Sequence, residues 1–280
     1  MSQTLPRLRA ARYVQPLREG GSLPAVVDTD GGLYVVKFRG AGQGPKALVA
    51  EILVGVIAGA LGLPVPDLAL VDVPPPFGRS EPDPEIQDVL RRSHGINVGL
   101  RYLDGAFNYD AKAAEDLVSP ELAARIVWLD AFTTNPDRTH RNPNLLIWRR
   151  SPWLIDHGAA IYAHHDWPGV DDARIRSPFP LIRQHVLLRR MGDLERADAD
   201  AARALTAEVV GGLVESIPDE LLVEEDTGGA TPAPAPAPAR QRYVNYLVRR
   251  LEEPREFVSA AVEAREQLLR DPPRAFGARR

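Results

Sequence analysis

The sequence predicts an α+β fold, with a small β-rich part followed by a mainly helical one. Three observations carry that expectation. Apolar runs in the first hundred residues are separated by hairpin-type turns, with a single helix among them, rather than by the regular strand–helix alternation of a doubly wound sheet. Beyond Gly105, apolar residues recur at helical spacing. The chain has 280 residues, of which 44% are hydrophobic and 26% charged, enough for one large domain or two smaller lobes around a real core.

The elements follow in order. Residues 23–29 and 33–38 are apolar runs around Asp30-Gly31-Gly32, where glycine supplies the positive φ of a tight turn, so a β-hairpin is expected. Residues 45–61 carry Leu48, Ile52, Leu53, Val56, Ile57 and Ala60 at helical spacing and are stopped by Gly62 and Pro64. A strand at 68–73 ends in three prolines. A surface excursion with a short helix near 84–92 follows, then a strand at 96–103 closed by Asp104-Gly105. The second part opens with a helix over 120–133, bearing Leu122, Ile126, Leu129 and Phe132 on one face. Helical periodicity returns over 196–216 and 241–269. The alternating proline and alanine of 224–239 predict an extended, mobile loop rather than a helix. The division expected is 1–105 and 106–280.

Composition excludes several classes. Thirty-four Lys and Arg against 38 Asp and Glu give a net charge of −4, so no general attraction to nucleic acid is expected. With no cysteine, thiol catalysis, disulfides and thiolate metal sites are ruled out. No signal-like apolar run or 18-residue apolar stretch is present, which predicts a cytoplasmic protein without a membrane span.

Chemistry concentrates in one segment. A helix runs into Asn135-Pro-Asp137-Arg138-Thr-His140-Arg141-Asn142-Pro-Asn144, two short apolar strands follow around a turn at 149–152, and Asp156-His157-Gly158 closes the stretch. So many polar groups between buried strands are costly unless they bind each other or a ligand. Asn142 lies five positions after Asp137, and Asp156 fourteen after Asn142. This is the spacing of the kinase catalytic loop D-x-x-x-x-N and of the D-x-G that follows it. Phosphoryl transfer needs a carboxylate to orient the attacking hydroxyl and hard oxygen ligands for Mg²⁺, and these side chains supply both.

Upstream, Lys37 ends a strand in Val35-Val36-Lys37-Phe38, where an ammonium would neutralise phosphate charge; only Lys46 and Lys112 join it as lysines. Glu51 follows fourteen residues later in an apolar stretch of the 45–61 helix, and a carboxylate in such a setting calls for a cation. Gly20, Gly21 and Ser22 precede the first hairpin strand, where free backbone N–H groups would cradle phosphates.

Taken together, these residues resemble the HipA-like kinases, and within them the short stand-alone HipA-type kinase domains of bacteria, distantly related to phosphatidylinositol 3- and 4-kinases. The resemblance spans roughly residues 15–220. It rests on Gly20-Gly21, Val36-Lys37-Phe38, Glu51, residues 61–66, the Asn135 to Asn142 loop and residues 154–158. It implies a two-lobed protein-kinase-like fold with ATP and Mg²⁺ between the lobes. Asp137 would be the catalytic aspartate, Asn142 and Asp156 the metal ligands, Lys37 the phosphate contact held by Glu51, and Gly20-Gly21-Ser22 the phosphate loop. The implied acceptor is a hydroxyl, with protein Ser/Thr favoured; a lipid or small-molecule acceptor, or a nucleotide-binding scaffold without transfer, are the alternatives. A protein partner stays open.

Other features read as structure. No third or fourth ligand pattern accompanies His164-His165-Asp166, which is expected to be a polar loop. Tyr243, Tyr246, Leu247 and Leu251 form a stripe expected to pack the helical part.

Overall fold

The computed structural model describes residues 4–17, 23–42, 44–79, 81–111, 113–223 and 235–270. Its N-terminal part contains strands β1 (Arg7–Pro16), β2 (Ala25–Thr29) and β3 (Gly32–Lys37), helix α1 (Gly44–Ala60), strand β4 (Leu68–Val73), helix α2 (Pro84–Arg91) and strand β5 (Gly95–Arg101). The hairpin, helix and strands expected from the sequence are all present. β1 was not expected. Only Ala10 of its ten residues is buried, so it has no apolar alternation to read. It is held by its backbone, antiparallel to β2 and parallel to β4 through Arg7–Leu70, Leu8–Val71 and Arg9–Asp72. That second pairing closes the sheet into a five-stranded barrel in the order β1-β2-β3-β5-β4.

Strand alternation divides the apolar side chains between two cores. Ala25, Val27, Tyr34, Val36, Ala69, Val71 and Val73 fill the barrel. Gly99 belongs to this interior because a Cβ there would sit 2.8 Å from Val71 and 3.2 Å from Tyr34. Leu68, Leu70, Ile96, Val98 and Leu100 face the other way and share a larger core with α1 and the helical part. α1 is buried from Leu48 to Ala58 without a polar face, because it packs between the barrel and the helices.

The C-terminal part contains a short strand β6 (Phe107–Asn108), helix α3 (Pro120–Phe132) and the hairpin β7 (Leu145–Trp148) and β8 (Ser151–Leu154). Helices α4 (Asp172–Ile175), α5 (Leu194–Ala204), α6 (Ala207–Val214), α7 (Asp219–Leu222), α8 (Pro236–Arg250) and α9 (Glu256–Arg270) follow. α3 starts where its chemistry dictates: Ser119 Oγ accepts the Leu122 N–H at 3.1 Å, and Pro120 takes the first turn.

Three helical expectations are corrected in detail. Residues 196–216 form two helices, because Thr206 caps a new one by accepting the Val209 N–H. Residues 241–269 are likewise divided, at the segment containing Pro254. The proline-rich stretch ends as helix: Pro236 and Pro238 lie in the first turn of α8, where backbone N–H groups have no intrahelical acceptor to lose. The remainder of that stretch, 224–234, lies outside the described residues. Among the described residues, no helix is long and apolar enough to cross a membrane.

Candidate active site

The barrel register brings the first charged group into place. Lys37 pairs with Val98, and directly opposed residues share a sheet face, so Lys37 projects toward α1 with the face that carries Val98. There its ammonium lies 2.7 Å from Glu51 Oε2 and also bonds Asp156 Oδ1. Lys37 has three N–H donors, and these carboxylates take two of them. Glu51 is fully buried, and its Oε2 also accepts the His157 backbone N–H at 2.7 Å. Burial alone would lower the Lys37 pKa, but Glu51 and Asp156 outweigh it and the net shift is upward. Burial acts on Asp156 to raise its pKa, and Lys37 reverses that to a net lowering.

Lys37 and Asp156 line a small cavity together with Phe38, Ala41, Gly44, Ala47, Leu48 and Gly158. Its wall carries Gly158 of the Asp156-His157-Gly158 turn and Gly44, which lies in a stretch after Lys37 that the sequence reading passed over. Gly20, Gly21 and Ser22, expected as the phosphate loop, lie outside the described residues.

The second group is the loop after α3. Asp137 Oδ2 accepts Nδ2–H bonds from Asn142 at 2.9 Å and Asn144 at 3.2 Å, and Asn144 Nδ2 also reaches the Asp137 carbonyl at 3.1 Å. No hydrogen bond joins Asn142 to Asp156 among the described residues. The two expected metal ligands stand in separate groups, Asn142 with Asp137 and Asp156 with Lys37.

A buried network missed by sequence reasoning ties these groups together. Asp130, near the end of α3, accepts from Arg138 Nε at 2.5 Å, Asn135 Nδ2 at 2.9 Å and His185 Nε2 at 2.9 Å. The Leu187 N–H donates to His185 Nδ1 at 3.0 Å, so the ring proton sits on Nε2 and points at Asp130. Burial would raise the Asp130 pKa, yet Arg138 and His185 hold it well below the usual carboxylate range. Arg138 then bonds the Asn144 carbonyl and donates to His157 Nδ1 at 3.2 Å. Burial pushes the His157 imidazole down to about 4, which suits an acceptor beside a guanidinium. The signal in the sequence was Asp130 itself, an acid between Leu129 and Ala131 on an apolar helix. Its partner His185 lies 55 residues away, beyond any local pattern.

Local backbone strain marks the same place. Thr134, Asn144, Asp156 and Ile161 all have φ between 47° and 56°, in the left-handed region. Each costs about 1–3 kcal/mol and persists only where the surroundings fix it, as hydrogen bonds do at Asn144 and Ile161. The Asn144 carbonyl accepts the Ile155 N–H at 3.1 Å, and the Ile161 N–H donates to Thr133 at 2.7 Å. His164 and His165 stand apart, with facing Nε2 atoms at 3.2 Å, as one hydrogen-bonded pair.

No curated protein matches the chain. Its fold is similar to the crystal structure of a Helicobacter pylori proinflammatory kinase, CtkA, with a TM-score of 0.51 and 12% identity over 95% of this chain and 100% of that one. A family model described as HipA-like kinase matches residues 14–227. With three quarters of the sequence inside that match and a kinase fold around it, the chain belongs to the HipA-like kinase family.

Proposed function

We propose that this kinase transfers the γ-phosphoryl group of ATP to a hydroxyl acceptor, with protein serine or threonine favoured, in a cleft between two lobes formed by residues 1–105 and 106–280. The observation that carries the reading is the Lys37–Glu51–Asp156 cluster on a cavity wall, linked through His157 and Arg138 to the loop that holds Asp137.

In this reading Lys37 binds phosphate oxygens with its remaining donor while Glu51 fixes its position. Asp137 has Oδ2 engaged by two amides and offers Oδ1 to the acceptor hydroxyl. The acceptor oxygen bonds to the γ-phosphorus, the bond from that phosphorus to the β–γ bridging oxygen breaks, and the hydroxyl proton passes to Asp137. ADP and the phosphorylated acceptor are the products.

A divalent cation suits the donor set, since the Asp156 carboxylate and the Asn142 amide oxygen are the hard ligands Mg²⁺ takes. No cluster of three or more His, Cys, Asp or Glu side chains could hold a metal among the described residues. Water and phosphate oxygens would therefore fill most of the shell, as is common for Mg²⁺. When bound, the cation neutralises charge on the phosphates.

Calorimetric titration of ATP into the protein, with Mg²⁺ present and then chelated, tests the reading. Mg²⁺-dependent binding that is lost in Asp156→Asn but kept in Asp137→Ala, with turnover lost in Asp137→Ala, is the expected result. Binding that ignores both Mg²⁺ and Asp156→Asn would overturn it. Transfer of labelled γ-phosphate to protein, lipid or small-molecule acceptors then separates the acceptor classes.

A further inference from the structure

The chain carries a net charge of −4, yet two of its segments run the other way. Residues 138–155 hold four arginines and residues 173–192 hold five, with no aspartate or glutamate in either. The two segments meet at an isolated antiparallel bridge between Thr139 and His185, where the Val186 N–H also donates to the Arg138 carbonyl at 3.0 Å. Most of these cations are already engaged. Arg138, Arg174 and Arg176 bind Asp130, Asp166 and Glu252, while Arg189 and Arg190 donate to the Leu268 and Val118 carbonyls. Arg149 and Arg150 lie in the β7–β8 turn. That leaves Arg141 and Arg183, both exposed, and among the described residues neither meets a carboxylate.

Antiparallel register puts Arg141, two residues after Thr139, and Arg183, two residues before His185, at the same end of the bridge. Their backbones are fixed. The Thr139 N–H donates to the Asn142 carbonyl at 2.9 Å and closes the turn that carries Arg141. Arg183 stands between Ile182, which is buried, and His185, whose ring bonds Asp130. Like charges held near each other repel, and a carboxylate placed between them removes that cost while taking the paired N–H donors of a guanidinium fork.

We propose that Arg141 and Arg183 form an acceptor-recognition site beside Asp137, which selects a protein serine or threonine flanked by acidic residues. This rests on the transfer to protein proposed above and names the class of segment that it takes. Arg141 follows Asp137 by four residues, so at about 3.3 Å per residue the recognised acid lies within about four residues of the acceptor hydroxyl. A membrane surface is the other anionic acceptor, but attraction to anionic lipid takes clusters of about 4–8 basic residues. Two arginines on a net acidic chain fit a short peptide segment better.

Transfer of labelled γ-phosphate from Mg·ATP to two synthetic peptides tests this, one with glutamates and one with lysines around a central serine and otherwise alike. Wild type should show at least about tenfold higher kcat/KM for the glutamate peptide, and the preference should shrink as salt rises from about 50 to 500 mM. The charge-reversed Arg141→Glu/Arg183→Glu variant should prefer the lysine peptide instead, with a calorimetric Kd for Mg·ATP within about twofold of wild type. A merely structural role cannot invert a preference; it would lower transfer to both peptides together.

If the reversed variant does not fold, Arg141→Gln/Arg183→Gln decides, with the preference abolished rather than inverted. Loss of fold in both makes the pair structural and overturns the proposal. So does an unchanged glutamate-to-lysine ratio in the variant, or equal loss for both peptides. A wild type that phosphorylates phosphatidylinositol in phosphatidylcholine vesicles but neither peptide overturns it in favour of a lipid acceptor. A wild type that neither binds nor turns over Mg·ATP removes the kinase reading and this inference together. Wild-type transfer to both peptides without preference for the acidic one removes this inference alone.

Discussion

A single carboxylate oxygen, Glu51 Oε2, lies 2.7 Å from both the Lys37 ammonium and the His157 backbone N–H. α1 therefore senses two segments at once, the end of β3 and the Asp156-His157-Gly158 turn. Because His157 also meets Arg138 through its ring, a shift of α1 is felt at the loop that carries Asp137.

Glu51→Gln is the substitution that probes this junction. Glutamine retains the shape but not the charge, leaving Lys37 with Asp156 alone. The expected result is at least tenfold lower kcat/KM for ATP in steady-state assays. Glu51→Ala removes the acceptor as well and should cost on the order of 3 kcal/mol in urea unfolding, the scale of breaking a buried ion pair.

Asp130→Asn should be more damaging to the fold than to any contact with nucleotide. The new amide would present N–H to a site already crowded with the donors of Arg138, Asn135 and His185, and Arg138 would be left buried without a counter-charge. Urea denaturation is expected to show a loss of about 3–5 kcal/mol. A loss below about 1 kcal/mol would mean that the surrounding carbonyls can hold Arg138 on their own.

Arg250, on α8, is 2% exposed and among the described residues its side chain bonds carbonyls alone, those of Ala131, Phe132, Ile175 and Ser177. Its guanidinium also lies 5.0 Å from the Phe257 ring centre. Arg250→Met keeps the stem but strands these acceptors, two of which are the last carbonyls of α3. Stability should fall by about 2–4 kcal/mol, measured by urea unfolding. Arg250→Lys should recover only part of it, since a compact ammonium cannot span four acceptors as the planar fork does.

Acid should weaken the protein through buried neutral histidine. Burial, aided by His165 and Lys46, pushes His164 down to about 3, while an unfolded chain titrates near 6.5. Between those values the unfolded state binds a proton that the folded state refuses, so stability falls as pH drops from about 6.5 toward 3. His164→Gln should flatten the dependence of unfolding free energy on pH between 4.5 and 6 by about 1.4 kcal/mol per pH unit. An unchanged slope would show that His164 takes up its proton while folded.

Much of this architecture was legible because local chemistry and tertiary role coincide. The Asp30-Gly31-Gly32 turn, the stop at Gly62 and the helix start at Pro120 each mark a boundary that the structure honours. The spacing among Lys37, Glu51, Asp137, Asn142 and Asp156 found residues that do assemble, in two groups. What stayed hidden depends on long-range contact. β1 is held by backbone pairing and leaves no apolar pattern, and His185 becomes a partner of Asp130 only after the chain folds back. Asn144 was overlooked because Asn142 satisfied the spacing first. Besides Gly158, the Lys37–Asp156 cavity takes a glycine from residue 44, in a stretch that reads along the sequence as a plain turn before a helix.

The parallel pairing of β1 with β4 also bears on where this protein can be cut. The family match begins at residue 14, inside β1, and ends at residue 227, before α8 and α9. A fragment trimmed to those limits would open the barrel, baring the rows of N–H and C=O groups on β2 and β4 that β1 now covers, and raw strand edges recruit other chains. It would also lose Arg250 and Arg255, which bind the end of α3 and Asp198 of α5. The stretch that the family model spans is thus smaller than the unit these contacts hold together, and a fragment that keeps them has to begin before Arg7 and extend through α9.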